Sequence, residues 1–194
     1  MGMTFSNAAV KFEVRDEIIK IARSVPPIEE DGDNFAFESF YLFPPVSGWT
    51  SILAPGDHPA NSYSLASAVA AQKGVLGFAG FVSQSSKIGV RFFNGDEIFS
   101  FMNYAGEYQG GGDLDKLVEL FQPTVPDGYT SLVELFSTDK LMGEELYAQI
   151  IAAFGLPPLL CDYGYEYVER AEEEDDIDEI FGKDLLPQIV LMEE

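Results

Sequence analysis

KIGVRFFNGDEIFSFMNY, residues 87–104, is the stretch whose reading decides the fold. Two β-rich runs flank Asn94-Gly95, the dipeptide that supplies two positive-φ residues to a type I′ hairpin turn. A two-residue loop sets Phe93 opposite Asp96, so Arg91 faces Ile98, Val90 faces Phe99 and Ile88 faces Phe101. Successive side chains point to opposite sides of a strand. One face then carries Ile88, Val90, Phe92, Phe99 and Phe101, and the other Arg91, Phe93, Ile98 and Met102. Both faces are largely apolar and need cover, either from helices of the same chain or from a second copy in a homodimer through an apolar sheet face.

Working outward, VLGFAGFVS (75–83) is apolar and interrupted by glycine, which predicts a central strand joined to the hairpin by Gln84-Ser85-Ser86. FAFESFYLF (35–43) alternates so that Phe35, Phe37, Tyr41 and Phe43 share a strand face, with residues 49–53 as a short partner strand. Val14, Ile18, Ile21 and Val25 recur at helical spacing before Pro26-Pro27, which predicts an amphipathic N-terminal helix. Asn61 or Ser62 can cap a helix reaching about Gln72. Three short helices follow, begun by Asp113, by the Ser131/Glu134 capping-box pair, and by the stripe Leu146, Ile150, Ile151 and Phe154. DYGYEYVE (162–169) alternates like a strand with Tyr163, Tyr165 and Tyr167 on one face, and QIVLM (188–192) closes the chain as an apolar run. Strands and helices do not alternate regularly, so the expected class is α+β. A mainly antiparallel sheet with an Asn-Gly hairpin is packed by the N-terminal helix and the later short helices, in one domain over 1–194.

The charge is as informative as the pattern. The chain has 194 residues and a formal net charge of −22, yet 46% of it is hydrophobic, which favours a folded domain over an acidic disordered one. From Ser39 to Gly95 the charged side chains are Asp57, Lys73, Lys87 and Arg91, whereas Asp162 to Glu194 holds thirteen acids against Arg170 and Lys183. Such a field repels phosphate and anionic headgroups, so neither nucleic acid nor membrane is expected as a partner, and a basic protein is. One cysteine, Cys161, excludes an internal disulfide, and no apolar stretch reaches the roughly 20 residues of a membrane span; a cytoplasmic protein is expected.

Chemistry finds little equipment. His58 is the single histidine, so a Ser–His or Cys–His nucleophile system has one candidate base and no accompanying motif. One Cys and one His cannot assemble a zinc site. EEDGDN (29–34) departs from a calcium loop at Phe35 and Ala36, and Gly110-Gly111-Gly112 lacks the rest of any phosphate-loop motif. No catalytic residue, metal or cofactor is assigned, and the chain reads as a binding protein rather than an enzyme.

Two groups of residues remain as candidate sites. AEEEDDIDEIFG (171–182) spaces Ile177, Ile180, Phe181 and Leu185 as one apolar helical stripe, leaving Glu172, Glu173, Glu174, Asp175, Asp176, Asp178 and Glu179 as a carboxylate face toward a basic partner. The alternative is a small-molecule-binding domain or a hydrolase with a pocket near the 54–62 loop, built around Trp49, Asp57 and His58.

GWTSI, GFAGFV, the hairpin ending FNGDEIFSFMNY, and FGLPPLLCDYGYEYVERAE together resemble an uncharacterised family of acidic bacterial cytosolic proteins. The likeness covers about residues 49–170 and follows that family's order of Trp-containing strand, helix, Asn-Gly hairpin and late tyrosine-rich segment. It implies a shared fold and a bacterial cytosolic origin, and carries over no activity and no functional residue. The function these readings favour is a cytosolic protein-interaction module, in its sharpest form an acidic immunity or inhibitor protein.

Overall fold

The computed structural model describes residues 4–26, 28–30, 33–35, 38–55, 60–161, 163–174 and 176–192. Among them ten strands form: β1 (Phe5–Val10), β2 (Ile28–Glu30), β3 (Asp33–Phe35), β4 (Ser39–Leu42), β5 (Thr50–Leu53), β6 (Gly77–Ser83), β7 (Lys87–Asn94), β8 (Asp96–Tyr104), β9 (Glu107–Gly112) and β10 (Gln188–Leu191). The helices are α1 (Arg15–Ala22), α2 (Ala60–Lys73), α3 (Leu114–Phe121), α4 (Leu132–Phe136), α5 (Gly143–Ala153), α6 (Tyr165–Glu173) and α7 (Ile177–Phe181), with a 3₁₀ turn at Pro158–Cys161. Eight strands make one antiparallel sheet in the order β10-β4-β5-β1-β6-β7-β8-β9, and β2 with β3 makes a separate hairpin. The fold is α+β.

Period-two alternation gives the sheet two buried sides. On the first, α1 and α2 cover Ala8, Val10, Phe40, Leu42, Ile52, Ala79 and Phe93. On the second, α3 to α5 cover Phe78, Val82, Ile88, Val90, Phe92, Phe99 and Phe101, and further along α6 and α7 cover Tyr41, Phe43 and Leu53. Rings dominate the second side: Phe92 lies 4.4 Å from Phe154, and Phe101 4.2 Å from Phe136, centroid to centroid. Helices of the same chain therefore supply most of the cover that the apolar faces require. Asp113 Oδ1 accepts from the Lys116 N–H at 2.9 Å and Ser131 Oγ from the Glu134 N–H at 3.2 Å, so α3 and α4 start at the caps their sequences name.

The hairpin keeps its predicted faces but not its predicted register. Val90 pairs with Phe101, Arg91 with Ser100 and Phe92 with Phe99, two residues away from a simple Asn-Gly hairpin. Only Gly95 of the pair has a positive φ, +77°, so the turn is not type I′. Turn and bulge each account for one residue of the shift: Asn94 pairs with Asp96 around Gly95, and the ladder then skips Ile98 between the Phe93–Glu97 and Phe92–Phe99 pairs, placing Ile98 beside Phe99 in the second-side core instead of opposite Arg91. A shift of two preserves which side each remaining residue faces, so the core survives the error.

Three further expectations change. The 35–43 strand is divided, with β3 in the small hairpin and β4 in the main sheet, while Tyr41 and Phe43 do share the second side. DYGYEYVE is helical from Tyr165: Tyr165, Val168 and Ala171 fall three apart and are buried, and Tyr163 meets Tyr167 at 5.0 Å as an i, i+4 pair. Burial of that stripe outweighs the alternation of the tyrosines. The central strand β1 was not foreseen at all. FSNAAV is buried at every position and pairs with β5 on one edge and β6 on the other.

β1 also holds a buried polar hub. Asn7 donates from Nδ2 to the Leu160 carbonyl at 2.7 Å and to that of Tyr163 at 3.3 Å, and accepts from the Tyr147 hydroxyl at 2.6 Å. Desolvation pushes the Tyr147 phenol well above its usual pKa, which keeps it a donor. This network ties the sheet, α5 and the chain leading into α6 together.

Candidate functional site

The acid tract folds as two helices rather than one, with the break between Glu173 and Ile177. Its apolar stripe is spent inward. Phe181 packs 5.3 Å from Phe43 and 4.8 Å from Tyr163, and Ile177, Ile180 and Leu185 line the same core. Glu173, Glu174, Asp176, Asp178 and Glu179 are all exposed, with Arg170 and Lys183 as the cations of this surface. Glu172 differs: its Oε2 accepts from the Tyr41 hydroxyl at 2.6 Å, and burial together with that carboxylate raises the Tyr41 pKa. Asp175 lies outside the described residues.

Trp49 belongs to the core, stacked on Phe121 at 6.1 Å, and Asp57 and His58 lie outside the described residues. Asn61 and Ser62, read as helix caps, lie inside α2, which begins at Ala60, and bond to the chain on the far side of the connection instead. Asn61 donates to the Pro55 carbonyl at 2.7 Å, and the Ala54 N–H donates to Ser62 Oγ at 3.2 Å. A cavity lined by described residues stands over β6–β9.

It is a half-open groove of about 490 Å³ on the first side of the sheet, where α2 ends its cover and β6 to β9 continue. Two cross-strand rows make its floor and walls. Ala79, Arg91, Ser100 and Gly111 are successive partners across the four strands, and Phe81, Gly89, Met102 and Gln109 form the next row. Small residues leave the backbone bare: nothing lies within 4 Å of where a Cβ on Gly111 would stand, while a Cβ on Gly89 would run into the Phe81 ring. Tyr63 of α2 closes one end, and the Arg91 guanidinium sits 4.7 Å from its ring centroid. Arg91 Nε is 3.7 Å from Glu97 Oε2, and Ser100 Oγ donates to Glu97 Oε1 at 2.8 Å. Lys87 overlies Phe81 at 5.9 Å from the ring centroid.

Sequence reasoning passed over this group. Its visible signal is Arg91, which follows Lys87 as the second cation of a strand otherwise without charge, since the floor arises from four strands whose alignment the bulge alters. Among the described residues no cluster of three His, Cys, Asp or Glu side chains could hold a metal ion, and no helix is long and apolar enough to cross a membrane. No protein-family model matches the chain, and no curated protein or solved structure matches it either.

Proposed function

We propose that this protein is a non-enzymatic interaction module whose α6–α7 surface takes a basic protein partner, as an acidic immunity or inhibitor protein would. One observation carries the reading: α6 and α7 bury their apolar residues against Tyr41, Phe43 and Leu53 and turn Glu173, Glu174, Asp176, Asp178 and Glu179 outward. Carboxylates on a docked helix pair hold a fixed pattern of negative charge, whereas the same residues in a loose tail would not. Complementary fields speed encounter and make it sensitive to salt. Neutralising these five carboxylates to Gln and Asn supplies the test, with both proteins immobilised and exposed to lysate of the native host at low salt. A basic protein retained by the wild type, released by salt and not retained by the neutralised variant supports the proposal. Equal retention by both, or no basic protein on either, overturns it.

A further inference from the structure

We propose that the groove over β6–β9 binds a free amino acid with a large aromatic or apolar side chain, its carboxylate on Arg91, its ammonium on Glu97 and its side chain against Phe81 and Met102. This site is independent of the acidic surface of α6–α7. The volume of about 490 Å³ lies within the roughly 300–1,000 Å³ of small-molecule sites and accommodates the largest natural side chains.

Charge selects a zwitterion. A chain of formal charge −22 repels a lone anion at long range, and the Glu97 carboxylate beside the groove repels it at short range. A lone cation finds Arg91 and Lys87. A molecule with adjacent opposite charges meets neither penalty, and Arg91 with Glu97 presents the complementary pair 3.7 Å apart. Both side chains are about half exposed, so their own ion pair is weak and can be exchanged for a better one. The Tyr63 ring lies 4.7 Å from the Arg91 guanidinium, whose fork suits a two-pronged bond to a carboxylate.

Shape selects the side chain. Phe81 and Met102 stand one cross-strand row from Arg91 and Ser100, about 7 Å between backbone rows, so an apolar wall adjoins the charged pair. The bare floor at Gly111 lets a flat group approach the backbone.

Titration calorimetry with L-phenylalanine and L-tryptophan tests the site, using 3-phenylpropionate and 2-phenylethylamine as analogues lacking one charge each. The wild type should bind the amino acids saturably and both analogues more weakly. Arg91→Met should weaken binding about ten- to a hundredfold, the worth of a hydrogen bond to a charged group. Gly111→Leu should abolish binding while leaving the unfolding curve in place, because its side chain enters the open space. Absence of saturable binding by the wild type, phenylpropionate bound as tightly as phenylalanine, or affinity unchanged in both variants would overturn the proposal.

Discussion

Strands β6 to β9 have a sealed side and, beyond the cover of α2 over Ala79 and Phe93, a bare side, built from alternate residues of the same chain. The sealed side presents Phe78, Ile88, Val90, Phe92, Phe99 and Phe101 to α3–α5, and every one of them is buried. The bare side presents Phe81, Arg91, Ser100 and Met102 to a groove. Bulky residues on adjacent strands demand a second layer, while glycine, alanine and serine between larger ones leave a hollow that no side chain of the described residues fills. Packing is therefore densest on one side, and part of the other is left open.

The sharpest way to break that comparison is a matched pair of truncations. Phe92→Ala removes a ring packed 4.4 Å from Phe154, 5.2 Å from Phe121 and 5.3 Å from Phe78, and should cost about 3–5 kcal/mol in urea unfolding. Phe81→Ala on the bare side should cost about 1 kcal/mol or less, its ring being only partly buried. Equal losses would show that the groove side bears load as the core does.

Next in size is the polar hub on the sealed side. Asn7→Ala leaves the Tyr147 hydroxyl and the Leu160 carbonyl buried without that partner and should cost about 1–3 kcal/mol for each group so orphaned. Tyr147 also sets a pH limit. Its folded pKa lies well above the ordinary 10.0, chiefly by desolvation, so its contribution is complete below about pH 10, where folded and unfolded chains both keep the proton. Above that the unfolded chain ionises first, and stability falls as pH rises. Urea midpoints between about pH 9 and 11, the range around the free phenol's titration, should decline in the wild type and decline less in Tyr147→Phe. Tyr41, Tyr108 and Tyr165 are raised as well, so the variant should flatten the decline without removing it.

Sequence pattern reached the sealed side more fully than the bare one, for a physical reason. Facing depends on parity, so Ile88, Val90, Phe92, Phe99 and Phe101 could be assigned together even though the turn and the bulge at Ile98 together moved the pairing by two residues. A groove depends on which residues stand side by side across strands, and that is what the bulge changed: Arg91 neighbours Ser100, not Ile98. β1 escaped notice because Ser6, Asn7, Ala8 and Ala9 carry weak strand propensity; its place comes from pairing on both edges and from a side chain amide spent on tertiary bonds. Trp49, read from its loop neighbourhood as a pocket wall, is held in the core by Phe121. The apolar stripe of the acid tract was legible residue by residue, whereas its interruption between α6 and α7 left no mark in the spacing.

The smallest stability change is expected where charge is densest. Glu173, Glu174, Asp176, Asp178 and Glu179 are exposed, and their side chains contribute carboxylate to carboxylate repulsion rather than core packing. Replacing all five by amides should shift the unfolding free energy by no more than about 0.5 kcal/mol per site, with the sum toward greater stability at low salt as repulsion is relieved. Glu172→Gln should behave differently, because its carboxylate accepts from the half-enclosed Tyr41 hydroxyl and a charge-assisted bond is lost. Destabilisation by the five-site variant would mean that those carboxylates hold the helix pair in place. Stability unchanged or raised, together with a flatter dependence on salt, would show that core packing and not those carboxylates holds the helix pair in place.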